Sequence, residues 1–73
     1  MSDLNPDNLR AAMALLRWTA ADLAEHAETS EPTVNRFLAG REVRAETREK
    51  IASAVDRAGV DLFNGGRPGA RRR

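Results

Sequence analysis

The sequence predicts an all-α fold: a compact domain of four helices that ends in a short strand or hairpin. Apolar residues recur at spacings of three and four in four successive stretches, which is the period of an amphipathic helix. Residues that cap or stop helices separate these stretches. After the fourth, the pattern changes to a brief strand-like run from Val60 to Phe63, followed by the turn-forming pair Asn64-Gly65.

The first helix is predicted to begin at Pro6, because Asn5 is a good N-cap and proline is tolerated at the first helical position. Residues 1–5 are expected to be a flexible N-terminus. The helix runs to about Arg17, and Trp18, the only tryptophan, is expected to plug the core. The inward stripe of this helix consists of Leu9, Ala12, Met13 and Leu16.

A second, short helix is predicted between Thr19 and His26. Thr19 can cap it, and Asp22, three residues later, can close a capping box. Leu23 and Ala24 face inward. His26 is the only histidine and has neither cysteine nor paired carboxylates near it, so we expect it to take no part in metal binding or catalysis.

A third helix is predicted over residues 31–39, with Ser30 as its cap and Gly40 as the residue that stops it. Its inward side carries Val34, Phe37 and Leu38, which fall within one third of the helical circle. The opposite side is small, polar and cationic at one point, as expected of a helix that enters a DNA major groove. That side carries Pro32, Thr33, Asn35 and Arg36.

A fourth helix is predicted from about Ala45 to Ala58, with Gly59 ending it. Its inward residues are Ile51, Ala52, Val55 and Ala58. The strand-like run then follows, and the chain from Arg67 onward could fold back as a hairpin. Pro68 and Gly69 make a poor second strand, so residues 67–73 are expected to be a basic tail to a domain of residues 6–66, mobile unless DNA or a second subunit orders it.

Composition limits the classes of protein that the chain can be. Its 73 residues fit one domain with one small core, and the lack of cysteine excludes disulfides and thiolate metal sites. No apolar run reaches the roughly eighteen residues of a membrane span, and the N-terminus lacks the pattern of a signal peptide. We therefore expect a cytoplasmic protein with no membrane partner.

The charges divide unevenly along the chain, although the net charge is only +1. Residues 1–34 hold six acidic and two basic side chains, a balance of −4, and residues 35–73 hold ten basic and five acidic side chains, a balance of +5. The basic half favours a polyanion as partner. The alternative is that these charges only form solvated helix faces.

The capping, inward and helix-ending residues follow one another in a recognisable order. They are Leu9, Thr19, the pair Leu23-Ala24, Ser30, Val34, Phe37, Gly40, and the run Thr47, Lys50-Ile51-Ala52 and Val55. In this order, from Leu9 to about Phe63, the chain resembles the lambda-repressor/Cro-like helix-turn-helix family of small bacterial and phage regulators, also called the XRE family. The resemblance implies a DNA-binding transcriptional regulator whose third helix reads the DNA.

Three departures from the family pattern are informative. Ala20 stands where a phosphate-contacting glutamine is usual. Glu28 and Thr29 stand where the turn usually has glycine and an aliphatic residue, so Glu28 is expected to hold a positive φ at a cost of roughly 1 kcal/mol, or the turn is altered. Met13 and Leu38 replace an arginine and a glutamate that form a salt bridge in many members, and we expect the two to pack on each other instead.

The resemblance also implies a role for each polar residue around the third helix. Arg36 is the strongest candidate because a guanidinium can bond O6 and N7 of guanine together, a discrimination of about 1–3 kcal/mol. The alternative is that Arg36 and Asn35 are simply exposed. The residues expected to read base edges are Glu31, Pro32, Thr33, Asn35 and Arg36, and those expected to contact phosphates are Thr19, Ser30, Arg41 and Arg44.

A homodimer is expected, because one such module reads only a few base pairs. Its interface is placed near residues 59–66, at Val60, Leu62 and Phe63, which are more apolar than a surface tail should be. A dimeric repressor on a palindromic operator, with half-sites roughly 34 Å apart, would follow. The alternative is that Leu62 and Phe63 close the core of the monomer.

Other classes of protein compete with this interpretation. An enzyme is not expected, because the chain has no cysteine, one histidine and no glycine-rich phosphate loop, and neither a metal nor a cofactor is implied. The main rival is an antitoxin-like module that binds a second protein and binds DNA only secondarily, since the acidic first half would suit a basic partner. RNA binding ranks third, because no aromatic residues are placed to stack on unpaired bases.

Overall fold

The structure, a computed structural model, describes residues 3–64 and 68–73. In this part of the chain four helices precede one antiparallel hairpin, which confirms the predicted fold class. The third helix ends one residue before the predicted range 31–39 does, because Ala39 is its C-cap. The elements are α1 Pro6–Leu16, α2 Ala20–His26, α3 Glu31–Leu38, α4 Ala45–Arg57, β1 Val60–Phe63 and β2 Gly69–Arg72.

Reciprocal capping fixes where α1 and α2 begin. The Asn8 backbone N–H donates to Asn5 Oδ1 at 2.8 Å, and the Asn5 backbone N–H donates to Asn8 Oδ1 at 2.9 Å. The predicted box at α2 is confirmed: the Thr19 backbone N–H donates to Asp22 Oδ2 at 2.9 Å, and the Asp22 N–H donates to Thr19 Oγ1 at 3.1 Å. The hydrogen bond from the Thr19 backbone N–H to the carboxylate is the largest cause that holds the pKa of Asp22 below its ordinary value.

All four helices are followed by a residue in the left-handed conformation. These residues are Arg17 at φ 57°, Glu28 at φ 55°, Gly40 at φ 82° and Gly59 at φ 89°. After the first three helices the next N–H donates to a carbonyl five residues earlier, which is the Schellman arrangement: Trp18 to Met13, Thr29 to Ala24 and Arg41 to Arg36. The positive φ expected of Glu28 is therefore confirmed, and the turn it closes is a normal helix ending.

The core draws on all four helices and on β1. In α4 the structure differs from the predicted inward face, because Ala54 is buried while Ala52 and Ala58 are half-buried. Met13 and Leu38 are both half-buried against this core, on neighbouring helices. The buried apolar residues are Leu4, Leu9, Ala12, Leu23, Ala24, Ala27, Val34, Phe37, Ile51, Ala54, Val55 and Val60.

Ordered packing begins before the first helix. Leu4 is only 3% exposed, although residues 1–5 were expected to be flexible. Arg48 of α4 holds it, because Nη2 of Arg48 donates to the Leu4 carbonyl at 2.8 Å while the guanidinium carbon lies 5.2 Å from the centre of the Phe37 ring. Leu4 lies outside the helical period of α1, so the apolar pattern gave no reason to place it in the core. Residues 1–2 lie outside the described residues.

The hairpin pairs Val60 with Arg72 and Phe63 with Gly69. The predicted strand is confirmed, and a second strand forms in spite of Gly69. The predicted mobile tail is therefore wrong for residues 69–73, while Arg67 and the Gly65 of the predicted turn lie outside the described residues.

Arg73 explains why the second strand is held. Its backbone N–H donates to the Gly59 carbonyl at 2.7 Å, and its Nη1 forms ion pairs with Asp56, at 3.0 Å, and with Asp61. These pairs raise the pKa of the Arg73 guanidinium. One basic residue of the predicted tail, Arg73, thus links the end of β2 to the end of α4.

Asn8 joins the hairpin to α1. It is fully buried, and its Nδ2 donates to the Asp3 carbonyl at 2.7 Å and to the Phe63 carbonyl at 3.3 Å. Beside it, Asn5 Nδ2 donates to Asn64 Oδ1 at 2.8 Å. The start of α1, the segment before it and the end of β1 therefore meet at one buried amide.

Candidate nucleic-acid interface

The third helix has the two-sided character that the sequence predicts. Val34 is fully buried and Phe37 is 2% exposed, so these residues attach α3 to the core. Ser30 caps the helix: its Oγ accepts from the Thr33 backbone N–H at 3.3 Å and lies 2.8 Å from Thr33 Oγ1. Pro32 stands in the first turn, where the missing N–H costs no helical hydrogen bond.

The outward side of α3 presents the predicted base-reading residues together. Glu31, Pro32, Asn35 and Arg36 are exposed, and Thr33 is half-buried. The hydroxyl of Thr33 is engaged with Ser30, so its methyl group is the part left for contact with a partner. The side of the helix opposite the core is thus continuous, and it ends with the positive charge of Arg36.

Arg36 makes one contact with its own domain. Its Nη2 donates to the Glu42 carbonyl at 3.3 Å, which is near the long limit of a hydrogen bond. The side chain stays exposed. The guanidinium therefore lies beside the turn after α3. Among the hydrogen bonds of the described residues, none uses Nη1 or Nε of Arg36, so both are available to another acceptor.

A cleft of about 650 Å³ separates the end of α3 from the start of α4. The cleft brings Arg36, on the outward side of α3, together with Arg44, one of the predicted phosphate contacts. Arg41, the other predicted basic contact, is exposed on the turn between them. The remaining lining residues are Thr33, which was predicted to read bases, and three residues to which the sequence assigned no site role, Glu42, Val43 and Thr47.

The two predicted phosphate contacts outside this turn lie at helix starts. Thr19 is exposed at the N-cap of α2 and Ser30 is exposed at the N-cap of α3. Helix starts favour anions because their first N–H groups point outward and the helix dipole is positive there. Ala20 is half-buried against the core and offers no polar side chain, in line with its departure from the family pattern.

The three residues expected at a dimer interface have different surroundings. Val60 is 1% exposed, so it belongs to the core of the monomer and is not part of an accessible interface. Leu62 is half-buried against that core, which favours the alternative considered for it. Phe63 is 44% exposed and covers Gly69, where an added Cβ would come within 2.7 Å of its ring. The burial of Val60 follows from strand alternation on a hairpin packed against α1 and α4.

The stacking of the Trp18 ring on the His26 ring was not predicted from the sequence. The Trp18 and His26 rings are 4.2 Å apart and inclined by 7°. Trp18 is half-buried against the core, as a core plug would be, and His26 covers it from outside. Trp18 lies in the connection before α2 and His26 is the last residue of α2, so the apolar pattern of the helices gave no sign of this contact.

Over residues 3–64 and 68–73, no group of three or more His, Cys, Asp or Glu side chains could hold a metal ion. In the same part of the chain, none of the helices has the length and apolar character needed to cross a membrane.

Comparison with known proteins places this arrangement in a family. The family model described as the Cro/C1-type HTH DNA-binding domain matches residues 8–62, which include α1 from Asn8 onward, the other three helices and β1 except Phe63. Comparison with curated proteins gave no match. Because the match covers well over half of the chain and includes the whole of α3, the protein belongs to the Cro/C1-type helix-turn-helix DNA-binding domain family.

Proposed function

We propose that this protein is a transcriptional regulator that acts as a dimeric repressor and reads a palindromic operator with α3. The observation that carries the proposal is the outward side of α3, where polar side chains and Arg36 stand exposed and contiguous on a helix whose other side is buried. A helix of this kind fits the major groove of B-DNA.

Each exposed group on α3 has a chemically suitable partner on base edges. Arg36 can donate to O6 and N7 of guanine, and Glu31 can accept from N4 of cytosine. Asn35 suits adenine, which offers one donor and one acceptor in the major groove. Pro32 and the Thr33 methyl suit the methyl group of thymine.

Phosphate contacts would set the register of α3 in the groove without reading sequence. Arg41 and Arg44 flank α3 on one side, on the turn that leads to α4. Thr19 and Ser30 stand at the starts of α2 and α3, where the helix dipole favours a phosphate. Together they would grip the DNA backbone on both sides of the reading helix.

A second copy would double the number of base pairs read. With Val60 inside the monomer, the proposed interface moves to the exposed Phe63 and the accessible part of Leu62. If the dimer resembles those of related helix-turn-helix proteins, its two α3 helices would read half-sites roughly 34 Å apart. The output proposed for such a dimer is repression by occupying the promoter.

The test separates base reading from phosphate contact. A duplex is first selected from random DNA with the unaltered protein, and its binding is measured by gel shift at two salt concentrations. Arg36→Ala is expected to lower the preference for the selected duplex over scrambled duplex by about 1–3 kcal/mol. Arg41→Ala is expected to weaken both duplexes alike and to reduce the slope of log K against log salt by about one.

Two outcomes would contradict the proposal. Failure to select any consensus would remove sequence-specific reading. Binding that neither substitution alters would place the DNA elsewhere on the surface and favour the rival interpretation, a module whose main partner is a second protein. Analytical ultracentrifugation of the free protein and of the complex tests the dimer separately, with Phe63→Ser as the variant expected to dissociate it.

A further inference from the structure

We infer that the turn formed by residues 40–43 orients the guanidinium of Arg36 toward the DNA bases. Gly40 is therefore a positioning residue for sequence specificity. The inference rests on the proposed function, because it assumes that Arg36 reads a base. It goes further in assigning a specificity role to a residue that has no side chain and need not touch DNA.

The turn first holds the backbone of Arg36. The Arg41 N–H donates to the Arg36 carbonyl and the Gly40 N–H donates to the Phe37 carbonyl, both at 3.0 Å. This pair of bonds closes α3 only if Gly40 takes a left-handed conformation, and its φ is 82°. The position of Arg36 in the last turn of the helix is thus fixed by the residue that ends the helix.

The same turn then holds the side chain of Arg36. After Gly40 the chain reverses, so that the Glu42 carbonyl accepts from Arg36 Nη2 at 3.3 Å. Val43, the next residue, is half-buried against the core and anchors the far end of the turn. The backbone carbonyl and the guanidinium of Arg36 are therefore both hydrogen-bonded to the turn of residues 40–43, which Val43 attaches to the core.

The consequence concerns selectivity more than affinity. A long arginine side chain has many rotamers, and a contact that restricts them before binding lowers the cost of ordering it at the interface. One Nη2 hydrogen is used on Glu42, and the rest of the guanidinium fork stays open to a guanine edge. A misaimed guanidinium would still attract phosphates, so losing the tether should reduce base discrimination more than general binding.

The chain supplies a matched control for this idea. Gly40 and Gly59 have similar left-handed φ values, 82° and 89°, and at both positions an added Cβ meets no atom within 4 Å. Gly40→Ala and Gly59→Ala should therefore cost similar stability through backbone strain. Of the two substitutions, only Gly40→Ala is expected to displace the Glu42 carbonyl. Gly40→Asn adds a second comparison, because asparagine tolerates the left-handed conformation and should keep the turn.

The experiment measures binding of each variant to the selected duplex and to its complete set of single-base changes, beside a thermal unfolding curve. We expect Gly40→Ala to lose about three- to tenfold of its discrimination at the base pairs whose preference Arg36→Ala also reduces, and to keep it elsewhere. Gly59→Ala should lose similar stability with an unchanged base profile. Gly40→Asn should retain the base profile of the unaltered protein.

Each contrary result has a distinct meaning. A selected consensus that depends on Arg36, together with a base profile that Gly40→Ala leaves unchanged, overturns this inference and leaves the proposed function intact. Equal loss of discrimination in Gly40→Ala and Gly59→Ala also overturns it, because stability alone would then explain the effect. Absence of any consensus, or a consensus indifferent to Arg36→Ala, overturns both.

Discussion

Among the residues that the structure describes, two without the freedom of glycine hold a left-handed backbone conformation, which costs an L-amino acid free energy. Arg17 and Glu28 close α1 and α2 with φ values of 57° and 55°, in the position that glycine fills after α3 and α4. The left-handed conformation costs a residue with a Cβ about 1–2 kcal/mol. The small fold therefore retains strain at two of its four helix ends.

Glu28→Gly should relieve this strain. Because glycine also gains freedom in the unfolded chain, we expect a net rise of about 0.5–1 kcal/mol in the free energy of unfolding. Urea unfolding followed by the fluorescence of Trp18 would measure it. Glu28→Ala, which removes the charge and keeps the Cβ, is the control and should change stability little; an equal gain in both variants would mean that charge, and not conformation, is responsible.

At the scale of single residues, the sequence predicted one part of the candidate site and missed another. The outward residues of α3 and the strain at Glu28 were predictable, because both follow from the helical period and from the conformation that a helix ending requires. The contact between Arg36 and the Glu42 carbonyl was not, since it joins a side chain to a backbone atom whose position depends on the path of the turn. The burial of Val60 likewise depended on which side of the hairpin packs against the helices.

At the scale of the element, polar caps determine where the first three helices start. Asn5, Thr19 and Ser30 each accept from a backbone N–H three residues later, as their sequence positions predict. In α4 the cap position is Arg44, whose side chain makes no capping bond. Local signals of this kind made the helix bounds predictable to within a residue or two.

The cap of α2 predicts how stability depends on pH. Hydrogen bonds from Thr19 lower the pKa of Asp22 below its ordinary value of 3.8, so the folded state favours the ionised form. The resulting stabilisation is complete above the ordinary value and is lost as the pH falls through the lower pKa of the folded state. Asp22→Asn, which can still accept from Thr19 but cannot ionise, should lose less stability on acidification.

Urea unfolding at a series of acid pH values would measure this difference. Glu25→Gln, at an exposed position of the same helix, is the control and should follow the unaltered protein. A pH profile that Asp22→Asn leaves unchanged would show that the capping box contributes nothing to the acid dependence.

At the scale of the whole molecule, the fold is closed by contacts between residues far apart in sequence. Asn8 reaches the Phe63 carbonyl, Arg48 reaches the Leu4 carbonyl, and Arg73 reaches Asp56 and Asp61. None of these pairs has a periodic or local signal. For this reason the sequence suggested mobile ends, whereas the structure attaches the described parts of both ends to the helices.

Asn8→Asp tests the most buried of these contacts. An aspartate can still accept from the Asn5 N–H in the capping box, but it cannot donate to the Asp3 and Phe63 carbonyls. We expect the free energy of unfolding at neutral pH to fall by about 1–3 kcal/mol, because the two carbonyls lose their donor and a carboxylate takes the place of a fully buried amide. Asn5→Asp keeps a good cap and loses only an exposed contact, so it should be nearly neutral in the same urea titration. Equal effects of the two substitutions would contradict a special role for Asn8.

The attachment of Leu4 has a consequence for how the protein is made. Its carbonyl is held by a guanidinium forty-four positions later in the chain, so during synthesis Leu4 can take its final position only after α4 has been made. The whole of α3 is synthesised before Arg48 of α4 is available to lie over the ring of Phe37. A nascent chain should therefore complete its DNA-binding fold only after α4 has been synthesised.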